Sequence, residues 1–283
     1  MARLPESEQF VDCDGRPLFT LNAVNALPDA EKEFVYGKLL PPRLYNLLDI
    51  SPETFRGGRG ERLVTFIAPE GLSFARIEVR RNPDESDTVF FLEIADTHYR
   101  QMELSFCIIC DPDAPRFDVD RDQAGKDNCF ASLGSRNIPE EIRAMAAGLF
   151  PNQTRRGLRM FGEFLPRLES FVASLDMDMI VGEALTYDNA IRYEKYGFDY
   201  ITGKLLMKKI NEGFAPGGIY TARLDGSTPF RMPGMEKSVL GRSWAIHDGV
   251  LDEPWDEIKI YKMVGVMAGV DTFPDREIGG WLR

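Results

Sequence analysis

The chain is short of histidine, cysteine, positive charge and long apolar runs. Its 283 residues include two histidines, His98 and His247. That excludes a metal centre built from several histidines and leaves acid–base chemistry to carboxylates, tyrosines and backbone groups. Four cysteines (Cys13, Cys107, Cys110 and Cys129) are too few to staple a chain of this length into a disulfide scaffold. No stretch reaches the roughly 18 apolar residues of a membrane span, and the opening MARLPESEQFVD lacks the apolar core of a secretory leader. The expectation is a cytoplasmic protein with no membrane partner. Lys and Arg number 34 against 45 Asp and Glu, a net charge of -11, whereas nucleic acid and anionic membranes attract a positive field. No nucleic-acid partner is expected.

Hydrophobic residues make up 43% of the chain and aromatics 11%, enough for a sizeable core in one large domain or two modest ones. Three motifs read as structural. Cys107 and Cys110 form a CxxC inside MELSFCIICDP, which reads as a strand, and residues three apart on a strand face opposite sides. They are read as small core hydrophobes, with redox sensing as the alternative. GGRGER (57–62) is a connector without the Lys-Ser/Thr continuation of a phosphate-binding P-loop. DVDRDQAGKD lacks the glycine and closing glutamate of a calcium loop at the required positions, so no metal site is expected.

Residues 1–27 read as turn-rich, with a loop or short hairpin at DCDGRPLF. Residues 28–49 read as helix broken at Pro41-Pro42, and Ser51-Pro52-Glu53 as a helix cap. Four strand-like runs follow at 63–69, 72–81, 88–97 and 102–110, the grammar of an antiparallel meander. After a polar insertion (111–137) comes a short helix over IPEEIRAMAAGLF. A long helix from about Arg155 to Leu175 follows, its apolar residues recurring at three- and four-residue steps. MDMIVGEAL (177–185) reads as a strand, 189–196 as a helix closed by Gly197, and FDYITGKLLMKKI as one strand or two. From about 210 the chain, rich in Gly and Pro and carrying Trp244, Trp255 and Trp281, reads as irregular, with a helix around 255–264.

The block NAIRYEKYGFDYITGKLLM, with Asn189, Ala190, Tyr193, Glu194, Lys195, Gly197, Phe198 and Met207, resembles the last conserved block of the GNAT superfamily of N-acetyltransferases. The resemblance covers about 63–209, with its specific part in 153–207. It implies an α/β (α+β) fold: a central mixed, mostly antiparallel sheet flanked by helices. A helical N-terminal extension (1–62) would precede the acyltransferase domain (63–209, with insertion 111–149), and an irregular extension (210–283) would follow it. It also implies an acetyl-CoA or other acyl-CoA cofactor whose pyrophosphate sits on a loop of Arg/Gln-x-x-Gly-x-Gly/Ala form opening the long helix, where backbone amides favour an anion. In PNQTRRGLRMFGEFL, Gly157 takes the central glycine, Thr154 the first position and Arg159 the last. Gln153, Thr154, Arg155, Arg156, Gly157, Leu158, Arg159 and Asn189 are the cofactor-binding candidates.

The chemistry so implied is direct transfer. An amine attacks the thioester carbonyl, a backbone amide on the strand before the loop polarises that carbonyl, and Tyr193 protonates the departing thiolate. Glu103 is the candidate base, with Glu93 on the neighbouring strand as its rival. His98 reads as a turn residue. His247, beside Asp248, reads as structural, because adjacent residues seldom orient each other productively. The acceptor is a small-molecule or peptide amine, and the C-terminal aromatics would cap the cleft or form a homodimer surface. The alternative is a protein of the same fold that binds or regulates without turnover.

Overall fold

The four apolar runs become strands; burial alternates with a period of two along the second and third and along the first half of the fourth. They are β1 (Val64–Ile67), β2 (Phe74–Val79), β3 (Phe90–Asp96) and β4 (Met102–Ile109). In this computed structural model, which describes residues 8–130 and 135–276, they pair antiparallel in chain order. β5 (Met179–Glu183) joins parallel to β4. A parallel neighbour requires a crossover connection, and that connection includes the long helix, α5 (Phe161–Ser174). With β6 (Asp199–Tyr200) and β7 (Lys259–Met263), the strand order is β1-β2-β3-β4-β5-β7-β6. The fold is mixed α/β: an open, mostly antiparallel seven-stranded sheet and, among the described residues, eight α-helices.

Two compact units share the chain. The first comprises residues 1–113, 157–182 and 261–267. Its core lies between the inner face of the meander (Ala75, Ile77, Phe90, Leu92, Ile94) and the apolar stripe of α5, with Phe90 edge-on to Phe164 at 5.7 Å. Three N-terminal helices pack there: α1 (Leu21–Asn25), α2 (Asp29–Gly37) and α3 (Pro42–Leu48). Tyr36 stacks on Phe171 at 5.9 Å, and its hydroxyl donates to the buried Asn25 amide oxygen. Asn25 in turn donates to the carbonyls of Leu72 and Phe74, so its polar atoms are satisfied.

The second unit comprises residues 114–156, 183–260 and 268–283. It holds α4 (Ile138–Ala146), α6 (Tyr187–Lys195), α7 (Lys204–Gly213) and α8 (Val239–His247). Phe117, Val119, Ala144, Leu149, Phe230 and Trp244 form one core cluster. β7 begins in this unit, where its Lys259 carbonyl accepts from the Ile201 amide.

Several expectations are corrected. The long helix begins at Phe161, not near Arg155, because Gly157 is drawn into a bridge with Cys110 and Arg159 adopts φ +57. The run after Gly197 yields only the two-residue β6. Gly203 at φ +91 then starts α7, whose Met207, Ile210 and Gly213 face inward at helical spacing. The segment beyond 210 is more ordered than its Gly and Pro suggest, for α8 lies within it, and residues 259–263 are strand rather than helix. Ser51-Pro52-Glu53 caps a turn, not a helix. Residues 21–25, read as turn, form α1 behind Thr20, which accepts the Ala23 amide at 3.1 Å. Trp281 and part of the polar insertion lie outside the described residues.

Candidate functional site

In the first unit, β4 changes character along its length. Met102 and Leu104 point into the core while Glu103 and Ser105 are exposed; from Phe106 to Ile109 every residue is half-buried. Two features account for this. A bulge leaves Ser105 without a partner in β3, since Glu93 faces Phe106 and Ile94 faces Leu104. In addition, β5 accompanies β4 only over Met102–Leu104, facing Ile180–Gly182. Gly182 eases the last pair, because a Cβ there would lie 3.1 Å from the Leu104 carbonyl oxygen, tighter than an ordinary contact. The pairing of β4 with β5 ends there, and farther along Cys110 bridges Gly157. Gly157 has the same explanation, its Cβ position falling 3.1 Å from the Ile109 carbonyl oxygen.

From Gly157 the chain turns into α5. The Leu158 carbonyl accepts a hydrogen bond from Arg43 Nη2 at 2.6 Å, and Arg43 Nη1 pairs with Glu163 at 2.9 Å. Arg159 has φ +57, and Met160, at the N-cap with φ −94 and ψ 0, makes no side-chain cap. A left-handed residue followed by a right-handed one turns successive N–H groups toward one side. The first turn of α5 adds its own N–H groups and the positive end of its dipole. Arg156 and Arg159 are exposed beside this entry.

The preceding candidates serve the second unit's loop. Gln153 Oε1 accepts the Phe150 amide at 3.0 Å, the Thr154 carbonyl accepts the Phe117 amide at 2.8 Å, and Arg155 donates to the Ala114 carbonyl. These residues fasten the polar insertion. The remaining candidates divide between the units. Glu103 lies in the first unit, exposed, opposite Ala95 and on the same face of the sheet as Glu93, which pairs with Arg76 at 3.3 Å. His98 is an exposed turn residue there. Tyr193 and Asn189 lie in the second unit on α6, both half-buried, with the Tyr193 ring 4.9 Å from Phe198.

The Tyr-Glu-Lys-x-Gly-Phe string has local structural reasons. Gly197, at φ +87, ends α6 in the left-handed conformation that glycine favours. Phe198 is buried. Glu194 is buried and accepts from the Tyr200 hydroxyl, from Thr272 Oγ1 at 2.7 Å and from the Thr272 amide at 2.9 Å. Burial pushes its carboxyl up in pKa despite these donors, and burial also raises the Tyr200 phenol. Glu194 therefore fastens the segment around Thr272 to α6.

A second polar cluster surrounds His247. Its partner is not Asp248 but Glu141, at 3.2 Å from Nε2, and Arg136 binds Glu141 as well. Asp248 is held by Arg136 at 2.9 Å and Arg231 at 2.8 Å. Burial pushes the Glu141 carboxyl up, but hydrogen bonds from His247 and Arg136 outweigh it, and the pKa lies below the ordinary value. Asp248 is lowered in the same way: against burial, hydrogen bonds from Arg136 and Thr228 prevail. A carboxyl with a lowered folded pKa stabilises the fold at neutral pH, and this is lost as pH falls through that value. Asp188 and Glu194, both raised by burial, act in the opposite sense, their penalty easing as pH falls. In urea titrations from pH 7 to pH 3, the advantage of the wild type over Glu141→Gln is expected to shrink below about pH 5. Parallel stability–pH curves would contradict this assignment.

Arg43 and the bulge at Ser105 were not among the sequence candidates. Arg43 lies 115 residues from Leu158, and no local pattern announces such a pairing. Among the described residues, no group of three or more His, Cys, Asp or Glu side chains is placed to hold a metal ion, and no helix is long and apolar enough to cross a membrane. Comparison with family models, curated proteins and solved structures found no match to this chain.

Proposed function

We propose that this protein is an acyl-CoA-dependent N-acyltransferase of GNAT-like fold, with acetyl-CoA the first donor to test. One observation carries the reading. A parallel pair, β4 and β5, is joined through a glycine-containing loop and α5, and it parts after Leu104 on the side of β4 that leads to that loop. This is the place where the resemblance puts the strand amide that polarises a thioester and the helix entry that receives a pyrophosphate. The succession of α5, β5, α6 and the Gly197-Phe198 ending supports the same reading.

The residues suit an anionic cofactor. The loop leads into a helix N-terminus and carries exposed arginines in a chain whose net charge is -11. Bound acyl-CoA would supply the activated thioester. The acceptor nitrogen forms its bond to the acyl carbon, the carbon–sulfur bond breaks, and the amine gives up a proton, for which Glu103 is the candidate acceptor. For the protonation of the departing thiolate the resemblance names Tyr193, on α6, a role open to a neutral phenol. The acceptor is a small-molecule or peptide amine.

The test is thermal unfolding with and without acyl-CoAs. At 100 times its dissociation constant, a ligand of the folded state adds about 2.7 kcal/mol of stability. No shift with acetyl-CoA or longer acyl-CoAs would refute the reading. A shift without turnover across an amine panel would favour the alternative, a binding or regulatory protein of this fold. Where turnover is found, Tyr193→Phe is expected to lower kcat at least about tenfold while the donor KM stays unchanged. An unaltered kcat removes Tyr193 from the mechanism.

A further inference from the structure

The loop entering α5 is held from outside the region that the resemblance covers. Arg43, on α3 of the N-terminal extension, reaches it through two contacts: Nη2 donates to the Leu158 carbonyl at 2.6 Å and Nη1 pairs with Glu163 at 2.9 Å. All four residues, Arg43, Leu158, Arg159 and Glu163, belong to the same unit. The peptide between Leu158 and Arg159 is trans, as every described peptide is. Its carbonyl and its N–H therefore point in opposite directions. With the carbonyl turned to Arg43, the Arg159 N–H is turned away from α3. The same orientation places Arg159 at φ +57, a conformation unfavourable for any residue with a Cβ. Rotation of this one peptide would relieve Arg159 and reverse its N–H. The Arg43 guanidinium opposes that rotation, since a hydrogen bond from a charged donor is stronger than one from a neutral donor.

We propose that Arg43 is a positioning residue for the cofactor loop: by holding the Leu158 carbonyl, it keeps the Arg159 amide turned toward the side where the acyl-CoA pyrophosphate binds. This rests on the acyl-CoA reading above. It also assigns a task to the helical N-terminal extension and explains how arginine stands where the resembled motif carries glycine or alanine. A glycine at 159 would hold the same backbone without help, because positive φ costs it nothing. Arg43 and residue 159 should therefore be energetically coupled in cofactor binding.

The experiment is a cycle of four full-length proteins: wild type, Arg43→Ala, Arg159→Gly and the double variant. Acetyl-CoA affinity is measured by calorimetry at fixed ionic strength. Arg43→Ala is expected to weaken binding about tenfold when residue 159 is arginine and less than about threefold when it is glycine. Glu163→Gln, which removes the ion pair but leaves the Leu158 contact, should change affinity less than about threefold. The melting temperature of Arg43→Ala without ligand should fall by less than about 4 °C, because the side chain is half exposed. If wild type binds acetyl-CoA but Arg43→Ala costs the same factor in both backgrounds, or costs nothing, the positioning role is overturned and the acyl-CoA reading stands. If wild type binds no acyl-CoA, the reading fails and the positioning role falls with it.

Discussion

Replacing Lys262 by Met is expected to lower the free energy of unfolding by about 3–5 kcal/mol, the range for removing one partner of a buried ion pair. Lys262, on β7, exposes 3% of its side chain and Glu169, on α5, exposes 10%. The ammonium lies 3.4 Å from Glu169 Oε1 and donates to the Val266 carbonyl at 2.7 Å. The same carboxylate oxygen accepts the Gly265 amide at 2.8 Å. Without the lysine, a buried carboxylate keeps one backbone donor and no counter-charge, and the Val266 carbonyl loses its donor. Glu169→Met strands the ammonium instead and carries a similar cost. The double replacement buries methionine in both places and leaves no orphaned charge, so it should be markedly less destabilised than the sum of the singles. Urea unfolding followed by circular dichroism on the four proteins decides this. A loss below about 1 kcal/mol in the singles would show that water reaches the pair, and strict additivity would show that the two groups do not depend on each other.

The second large effect is expected in the other unit, at Trp244. The side chain is wholly buried, stacks on Phe230 at 5.1 Å with the rings 18° apart, and meets His247 edge-on at 5.7 Å. Its indole N–H donates to the Leu149 carbonyl at 2.9 Å, tying α8 to the end of the α4 segment. Trp244→Ala removes this area and leaves a cavity among Phe117, Val119, Ala144 and Leu149, costing about 3–5 kcal/mol. Trp244→Phe keeps an aromatic ring on Phe230 but strands the Leu149 carbonyl, and should cost about 1–3 kcal/mol. Equal losses for the two variants would mean that the hydrogen bond, not the packing, holds this core. A loss below about 1 kcal/mol for Trp244→Ala would mean that the site collapses around the gap.

Much of the architecture could be read from short-range signals. The alternation of Ala75, Ile77 and Val79, and of Phe90, Leu92 and Ile94, announces strands. The steps through Phe161, Leu165, Leu168, Phe171 and Leu175 announce α5, and Gly197 announces the end of α6. What failed did so chiefly where a long-range partner overrode the local pattern. Ile260 and Lys262 read as part of a helix, but hydrogen bonding in the sheet, between β5 and β6, makes them strand. Arg155–Arg159 continue an apparent helix, but the Cys110–Gly157 bridge and the Arg43 contact pull them out of it. One failure was local: the strand expected over FDYITGKLLMKKI stops after Tyr200, because Gly203 at φ +91 starts α7 there.

The sequence by itself determined the strand class and antiparallel order of β1 to β4, and the helix–strand–helix succession of α5, β5 and α6. These depend on periodicity and on glycine conformations, which act over a few residues. The tertiary structure alone decided where β4 and β5 part, which of the basic residues holds the loop entering α5, and which charges are buried in pairs. Each of these is set by a partner dozens of residues away, and hydrogen bonds and ion pairs select partners by distance in space rather than along the chain.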